Sequence, residues 1–254
     1  MLATELNKSH FALTGIEGVD ELLEGLGIPR GYAVLVLGGP GSGKTSFGFQ
    51  FLINGALKYE EPGVFVSLDE DPNQLRWNAA RMGLELEPLE KEGKLSIIDA
   101  TVVRFVSKDV SVGASSISVS KGEFAMASVL EMINRKIIET GAKRLVIDSL
   151  ASLILRFPDE IERREAVSSL VDAAVATGAT SLLISELSAT SLERVYRLEE
   201  YLVQGVIVMR KRHSGVARVF SVEKMRGVNH DPAPHPYALT KGGLEVYSKE
   251  RAEP

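Results

Sequence analysis

Two adjoining stretches decide the fold: AVLVL at residues 33–37 and GGPGSGKT at residues 38–45. The second stretch matches G-x-x-x-x-G-K-[ST], the pattern of a phosphate-binding loop or P-loop. Its glycines let successive backbone N–H groups converge on phosphate oxygens, and a following helix adds the positive partial charge of its N-terminus. The apolar run predicts a buried strand and residues 46–57 predict a helix, so the motif lies in the strand–loop–helix context that it requires.

Each part of this loop has a predicted task. Lys44 places a positive charge on the β- and γ-phosphates of a nucleoside triphosphate, and the Thr45 hydroxyl ligates Mg²⁺. The other predicted nucleotide-binding residues in this region are Gly38, Gly39, Pro40, Gly41, Ser42, Gly43 and Ser46.

Short apolar runs recur along the first three quarters of the chain. They occupy residues 64–68, 95–98, 144–147 and 181–184. Runs that are apolar on both faces are typical of buried parallel strands. Helical patterns separate them, for example Met126, Leu130, Ile133 and Ile137, which recur at three- and four-residue spacing before Gly141. The alternation predicts an α/β fold, a mostly parallel sheet flanked by helices on both faces.

The pattern changes after about residue 203. Residues 205–209, 217–222 and 244–247 resemble short strands joined by tight turns at residues 213–215 and 241–243. We expect a C-terminal antiparallel β extension of the same sheet, over residues 204–248. The 254 residues then form a single domain, with an α/β core at residues 13–203 and a mobile serine-rich loop at residues 107–122.

Composition excludes several classes of protein. The chain is 44% hydrophobic and 25% charged, the balance of an ordinary globular protein. Its formal charge of −5 argues against a surface that is basic overall, and the absence of cysteine excludes disulfides, thiolate zinc sites and a cysteine nucleophile. No signal-peptide core begins the sequence, and no apolar run approaches the roughly 20 residues that span a bilayer. We therefore expect a cytoplasmic protein with no membrane partner.

Acidic residues follow two of the predicted strands. Asp148 ends the run at residues 144–147, where a carboxylate can hold the water shell of a bound magnesium ion, although it could also cap the following helix. Asp69, Glu70 and Asp71 follow the run at residues 64–68. Asp71 suits the N-cap of a helix that begins near Pro72, which leaves Asp69 and Glu70 to face the nucleotide and one of them to orient or deprotonate water.

These elements together resemble the KaiC-type branch of the RecA-like ATPases. The resemblance rests on GIEGVDELL at residues 15–23, GIPRG at residues 27–31, the P-loop, the acidic residues at the two strand ends, and KMRGVNH at residues 224–230. It extends from about residue 13 to residue 248 and corresponds to one KaiC-like domain. The chain is also similar to archaeal RadA paralogues, which share this RecA-like P-loop core.

The resemblance implies an ATP-hydrolysing enzyme with ATP and Mg²⁺ as ligands. It implies a ring, most simply a hexamer, with nucleotide bound between neighbouring subunits. By the same resemblance, Glu70 activates the attacking water beside Asp69, and Lys224 and Arg226 reach the γ-phosphate held by the neighbour. Ser185 occupies the strand end where RecA-like proteins place a γ-phosphate sensor.

Three functions remain open from the sequence. The first is a regulatory or signalling ATPase of KaiC type. The second is a recombination or repair ATPase that binds single- or double-stranded DNA, because Arg210, Lys211, Arg212, Arg218, Lys224 and Arg226 fall within 17 residues. The third is a scaffold that hydrolyses ATP slowly and uses it to hold subunits together.

Overall fold

The predicted strands and helices are present in the structure, a computed structural model that describes residues 8–101, 121–154, 157, 159–187, 198–211 and 218–252. Within these ranges the strands are β1 (Phe11–Ala12), β2 (Ile28–Pro29), β3 (Ala33–Gly38), β4 (Gly63–Ser67), β5 (Leu95–Asp99), β6 (Arg144–Asp148), β7 (Thr180–Glu186), β8 (Gly205–Lys211), β9 (Arg218–Met225), β10 (His235–Thr240) and β11 (Gly243–Val246). The α-helices in the same ranges are α1 (Val19–Leu22), α2 (Lys44–Lys58), α3 (Pro72–Arg81), α4 (Glu87–Lys91), α5 (Lys121–Thr140), α6 (Leu150–Ile154), α7 (Glu160–Ala176) and α8 (Leu198–Leu202). Of the predicted mobile loop, residues 107–120 lie outside the described residues and residues 121–122 begin α5; the predicted turn at residues 213–215 also lies outside them.

The main sheet has the strand order β11-β10-β9-β8-β3-β7-β6-β4-β5. The six strands from β8 to β5 in this order are parallel to one another. Side chains alternate across the sheet, so in β3 Val34 and Val36 pack against α2 while Leu35 and Leu37 pack on the opposite face with α5 and α7. Both faces of β3 are therefore buried, which explains its continuous apolar run and confirms the predicted α/β class.

The antiparallel extension begins one strand later than predicted. β8 pairs in parallel with β3, Val34 opposite Gly205 and Gly38 opposite Met209, so it belongs to the parallel sheet. The antiparallel pairs are β8–β9, β9–β10 and β10–β11. The short apolar run at residues 205–209 is compatible with either orientation, and its pairing with β3 shows that the strand is parallel. The extension also contains β10, which the sequence analysis missed because Pro234 and Pro236 interrupt its pattern.

Local signals place the helix ends correctly. The Asp71 carboxylate caps α3 by accepting hydrogen bonds from the backbone N–H groups of Asn73 (2.8 Å) and Gln74 (3.3 Å). Asp159 caps α7 in the same way, and Gly141 follows α5 with φ +62°. None of the helices in the described ranges combines the length and hydrophobicity needed to cross a bilayer.

The parallel strands begin at one edge of the sheet. A buried ion pair connects that edge to the rest of the fold. Arg144, the first residue of β6, is fully buried and donates to Glu61 from Nε at 2.7 Å. Its guanidinium also donates to the carbonyl oxygens of Phe51 and Leu13, both at 2.8 Å. Arg144 therefore joins α2 and the N-terminal segment to the sheet. The carboxyl ends of the same strands form the opposite edge, where the polar strand ends lie.

Candidate nucleotide-binding site

The phosphate loop connects β3 to α2 at the carboxyl edge of the sheet. Gly41 and Gly43 have φ of +71° and +92°, a backbone conformation that L side chains rarely adopt. Gly38 has no space for a side chain, because a Cβ there would lie 2.5 Å from the Ser42 hydroxyl oxygen and 2.6 Å from the carbonyl oxygen of Met209. The glycine pattern thus shapes a tight turn around a site that backbone groups can line.

The Lys44 side chain folds back over the phosphate loop. Its ammonium donates to the carbonyl oxygens of Gly38 (2.8 Å) and Gly39 (3.1 Å). Burial lowers the pKa of Lys44, and the nearby carboxylates of Asp148 and Glu186 oppose that shift. The charged amine is therefore held at the loop by weak neutral acceptors, which phosphate oxygens can replace with stronger ones.

Thr45 and Asp148 come together from different parts of the chain. The Thr45 hydroxyl donates to Asp148 Oδ2 at 2.6 Å, joining the start of α2 to the end of β6. Burial raises the pKa of Asp148 to about 6, and the Thr45 hydrogen bond and the Lys44 charge act against that rise. One carboxylate and one hydroxyl are too few oxygens to bind Mg²⁺ alone, but they suit a magnesium ion that also takes phosphate and water oxygens. The described residues contain no group of three acidic, histidine or cysteine side chains that could hold a metal by themselves.

The two acids after β4 have different surroundings. Asp69 accepts a hydrogen bond from the Ser149 hydroxyl at 2.7 Å on one oxygen and from the Ser152 hydroxyl on the other. Glu70 is exposed, and its Oε2 accepts from Asn78 Nδ2 at a long 3.5 Å. The backbone of Glu70 is fixed by Ser67, whose hydroxyl donates to the Glu70 carbonyl at 2.6 Å and accepts from its N–H at 3.2 Å. Asp69 therefore holds α6 against β4, whereas the Glu70 carboxylate is the more available of the two to bound water.

These groups surround a cavity of about 430 Å³. It is lined by Gly41, Lys44, Thr45, Ser67, Asp69, Glu70, Leu75, Asp148, Ser149, Ala151, Ser152 and Glu186. The lining comes from the P-loop, from the ends of β4, β6 and β7, and from α3 and α6. The strand ends meet there because the carboxyl ends of parallel strands lie at one edge of the sheet. The phosphate loop, the Thr45 and Asp148 oxygens that suit Mg²⁺, and the available Glu70 carboxylate thus line the same cavity.

The family of the chain follows from sequence comparison. A profile of the KaiC family of ATPases matches residues 12–251. The chain belongs to the KaiC family. The predicted resemblance is therefore confirmed, and nucleotide binding is a property of the family to which the chain belongs.

Its KaiC relatives include single-domain and longer proteins. A UPF0273 protein of Thermotoga maritima is 36% identical over 245 residues, covering 94% of this chain and 97% of its own length. The circadian clock oscillator protein KaiC of Synechococcus elongatus is 33% identical over 254 residues, covering 97% of this chain but 47% of its own length. The crystal structure of a KaiC-like protein from Pyrococcus horikoshii superposes with a TM-score of 0.76 at 36% identity, covering 92% of this chain and 97% of that one. The RecA-like fold that the KaiC resemblance implied agrees with this neighbour.

Two of the residues suggested by the KaiC resemblance lie outside the cavity. The backbone N–H of Arg226 donates to the carbonyl of Gln204, which is level with Ala33 at the start of β3. That position is about 16 Å along the strand from Gly38, at roughly 3.3 Å per residue. Lys224 donates to the carbonyl oxygens of Glu200 (2.8 Å) and Val203 (2.6 Å), at the end of α8.

Lys224 and Arg226 line a second cavity instead, of about 390 Å³, together with Glu200, Tyr201, Val206 and Glu223. Burial lowers the pKa of Lys224, and the neighbouring Arg226 lowers it further. The two cations therefore lie beside two acidic residues, in a cavity that is separate from the phosphate loop of the same chain.

The basic residues that motivated the DNA-binding hypothesis do not form one patch. Arg210 and Lys211 are exposed at the far end of β8, whereas Lys224 pairs with Val206 near its start. Four residues of strand, about 13 Å, separate these two groups. Arg212 lies outside the described residues. Cations that are close in sequence are thus divided between the two ends of the β8–β9 hairpin.

The fold brings to the cavity several groups that were not assigned to the site from the sequence. Glu186 ends β7, and its position after an apolar run is the same signal that marked Asp148. Ser149 immediately precedes α6 and Ser152 lies within it, and serine at such positions is too common to indicate a site. The predicted Ser185 is buried inside β7 and is not among the residues that line the cavity, so Glu186 rather than Ser185 is exposed to it.

Proposed function

We propose that this protein binds Mg·ATP in the 430 Å³ cavity and hydrolyses it to ADP and phosphate. The observation that carries the proposal is the contact of Thr45 with Asp148 at the foot of a P-loop, with the Glu70 carboxylate lining the same cavity. Hydrolysis needs water aligned with the γ-phosphorus, a base for its proton and positive charge on the phosphate oxygens. A candidate group for each of these requirements lines the cavity.

The loop supplies binding and charge. Backbone N–H groups within residues 38–46, other than Pro40, which has none, would surround the β-phosphate, and Lys44 would exchange its two carbonyl acceptors for β- and γ-phosphate oxygens. Thr45 and Asp148 would hold Mg²⁺, which would supply positive charge to offset the negative charge of the phosphate oxygens. The Asp148 carboxyl has to be ionised for this task, and a divalent cation beside it favours the ionised form.

Glu70 is the proposed base. As water attacks the γ-phosphorus, Glu70 takes its proton, the bond from the γ-phosphorus to the bridging oxygen breaks, and ADP leaves with the electron pair of that bond. Asp69 is already engaged by two serine hydroxyls, so its proposed contribution is to position the end of β6 and the start of α6 beside the metal.

The active assembly is proposed to be a closed ring, most simply a hexamer. A head-to-tail contact brings the Lys224 and Arg226 surface of one subunit to the phosphate loop of the next, a heterologous interface of the kind that generates rings. Support comes from the separation of these two cations from the cavity of their own subunit. A regulatory or signalling role fits such an arrangement, because hydrolysis is then coupled to assembly.

Phosphate release and nucleotide binding measured on the same samples test the proposal. Glu70→Gln removes the base and keeps the shape of the side chain, so turnover should fall by at least about a hundredfold. Calorimetry should still show Mg·ATP binding to this variant, whereas Lys44→Ala should lose most of it. Unchanged turnover in Glu70→Gln contradicts the assignment of the base, and no binding by the unaltered protein contradicts the proposed function as a whole.

A mixing experiment tests the shared site. Arg226→Ala subunits lack the donated cation, and Lys44→Ala subunits lack a working loop, so each alone should be inactive. In mixed rings an intact loop can meet an intact Arg226 from its neighbour, and part of the activity should return. If well-mixed assemblies stay inactive, the site is self-contained and Arg226 has another task.

A further inference from the structure

A tyrosine of the C-terminal extension contacts the phosphate loop on the side away from the cavity. Tyr237 in β10 is buried, and its hydroxyl donates to the backbone carbonyl of Ser42 at 2.5 Å. The two residues are 195 positions apart in the sequence. Burial raises the pKa of Tyr237 to about 12, so the phenol keeps its proton at neutral pH and acts as a donor.

This hydrogen bond orients a particular peptide group. The Ser42 carbonyl and the Gly43 N–H belong to the same peptide unit, and in a trans peptide the two bonds point in opposite directions. β10 lies on the β8 side of β3, whereas the cavity is built from β7, β6 and β4 on the other side. A carbonyl drawn toward Tyr237 therefore turns the Gly43 N–H toward the cavity.

The position of the phenol is itself well defined. The Tyr237 ring meets Phe220 edge-on, with centroids 6.4 Å apart and planes at 79°. Phe220 packs in turn on Phe47 of α2, with centroids 5.8 Å apart. The tyrosine is thus held against the helix that the phosphate loop begins, and its hydroxyl has little freedom to leave the Ser42 carbonyl.

Two further contacts hold the same hairpin to the loop and its helix. Leu239, two residues along β10, fills the space beside Gly43, where an added Cβ would lie 2.8 Å from Leu239 Cδ2. The Gln50 amide in α2 accepts from the Leu244 N–H at 2.7 Å and donates to the Leu244 carbonyl at 3.2 Å. The β10–β11 hairpin therefore supports the loop on the face opposite to the cavity.

We propose that Tyr237 is a positioning residue for phosphate binding, which fixes the Gly43 N–H in the direction of the β-phosphate through the Ser42 carbonyl. The proposal rests on the nucleotide binding proposed above. It gives the C-terminal extension a task in the site besides presenting Lys224 and Arg226. Gly43 has φ +92° and no side chain, so without the hydrogen bond the peptide between Ser42 and Gly43 could take several orientations. The hydrogen bond from Tyr237 selects one of them before nucleotide binds.

Tyr237→Phe removes the hydroxyl and keeps the ring contact with Phe220. Titration calorimetry with ADP, ATP and AMP, each with Mg²⁺, should show ADP and ATP binding weakened by about five- to tenfold, the loss of one buried hydrogen bond. AMP binding should change by less than about twofold, because AMP has no β-phosphate for the Gly43 N–H. In turnover assays KM should rise more than kcat falls, because the loop contacts the phosphates in both the ground and the transition state. Tyr247→Phe removes an exposed phenol from the same region and should leave all these values unchanged.

Hydrogen exchange gives a readout that does not depend on ligand. In free Tyr237→Phe the amides of residues 41–44 should exchange faster, while those of β3 and β7 keep their protection. If Tyr237→Phe proves unfolded by circular dichroism, Leu239→Ala tests the same support through Gly43 and should give the same selective loss of ADP and ATP affinity. Equal ADP affinity in a folded variant and in the unaltered protein, or equal losses for ADP and AMP, overturns the proposal. Absence of binding by the unaltered protein instead rejects the proposed function.

Discussion

Asp148 should make the nucleotide-free protein less stable while making magnesium binding possible. Its pKa rises from 3.8 to about 6 in the folded protein because the carboxyl is buried at the foot of the cavity. At about 1.4 kcal/mol per pKa unit, ionising Asp148 in the native state costs about 3 kcal/mol at neutral pH. Asp148→Asn keeps the shape and an oxygen that can accept from Thr45, and it removes this cost.

The pH dependence follows from the direction of the shift. Below pH 3.8 the carboxyl is neutral in both the folded and the unfolded chain, and above pH 6 it is ionised in both. In between, the folded protein binds more protons than the unfolded chain, so the Asp148 contribution lowers stability as pH rises. The stabilisation by Asp148→Asn should therefore grow by about 2 kcal/mol between pH 4.5 and pH 7.5.

Urea unfolding of the nucleotide-free proteins at these two pH values measures the effect. The same substitution at Asp172, an exposed residue of α7, is the control for replacing a carboxylate by an amide. Magnesium and ATP at 100 times the dissociation constant should stabilise the unaltered protein by about 2.7 kcal/mol and Asp148→Asn by much less. If Asp148→Asn is less stable than the unaltered protein at pH 7.5 and the difference does not vary with pH, the reasoning about burial is wrong.

Two other substitutions test the loop and the buried ion pair. Gly38→Ala places a Cβ 2.5 Å from the Ser42 hydroxyl oxygen, so ATP affinity measured by calorimetry should fall at least about tenfold. An unchanged affinity would show that the loop adapts to the added methyl group. Arg144→Met leaves the buried Glu61 carboxylate with Arg30 as its remaining counterion and removes the donor of the Phe51 and Leu13 carbonyls, and should cost about 3 kcal/mol in urea unfolding. Adding Glu61→Gln to Arg144→Met should recover part of that loss, and a purely additive double variant would count against a coupled pair.

The predictable part of the site is the part that is continuous in sequence. The strand, loop and helix at residues 33–58 form from neighbouring residues, so their glycines, Lys44 and Thr45 were identifiable directly. Asp148 and Glu70 were identifiable as candidates because an acid after a buried apolar run marks a strand end, and the ends of parallel strands lie at one edge of the sheet. The α/β class followed from the same runs.

The errors have physical causes. The direction of β8 could not be deduced, because a five-residue apolar run carries no information about which neighbour it pairs with. The basic residues at 210–226 looked like one patch because sequence distance ignores the hairpin that places Arg210 and Arg226 at opposite ends. The resemblance implied that Lys224 and Arg226 reach the γ-phosphate of a neighbour, which stays a prediction, and the strand order shows that they lie away from the phosphate loop of the same chain.

The sequence by itself determined the phosphate loop, the buried strands and the ends of several helices, since backbone conformation and side-chain periodicity are set within a few neighbouring residues. The tertiary structure alone decided which strands adjoin the loop and on which side. That decision places Asp148 beside Thr45 and Tyr237 behind Ser42, across 103 and 195 residues of chain. Contacts at that separation depend on the order and register of the whole sheet, which arise from the packing of all its strands together.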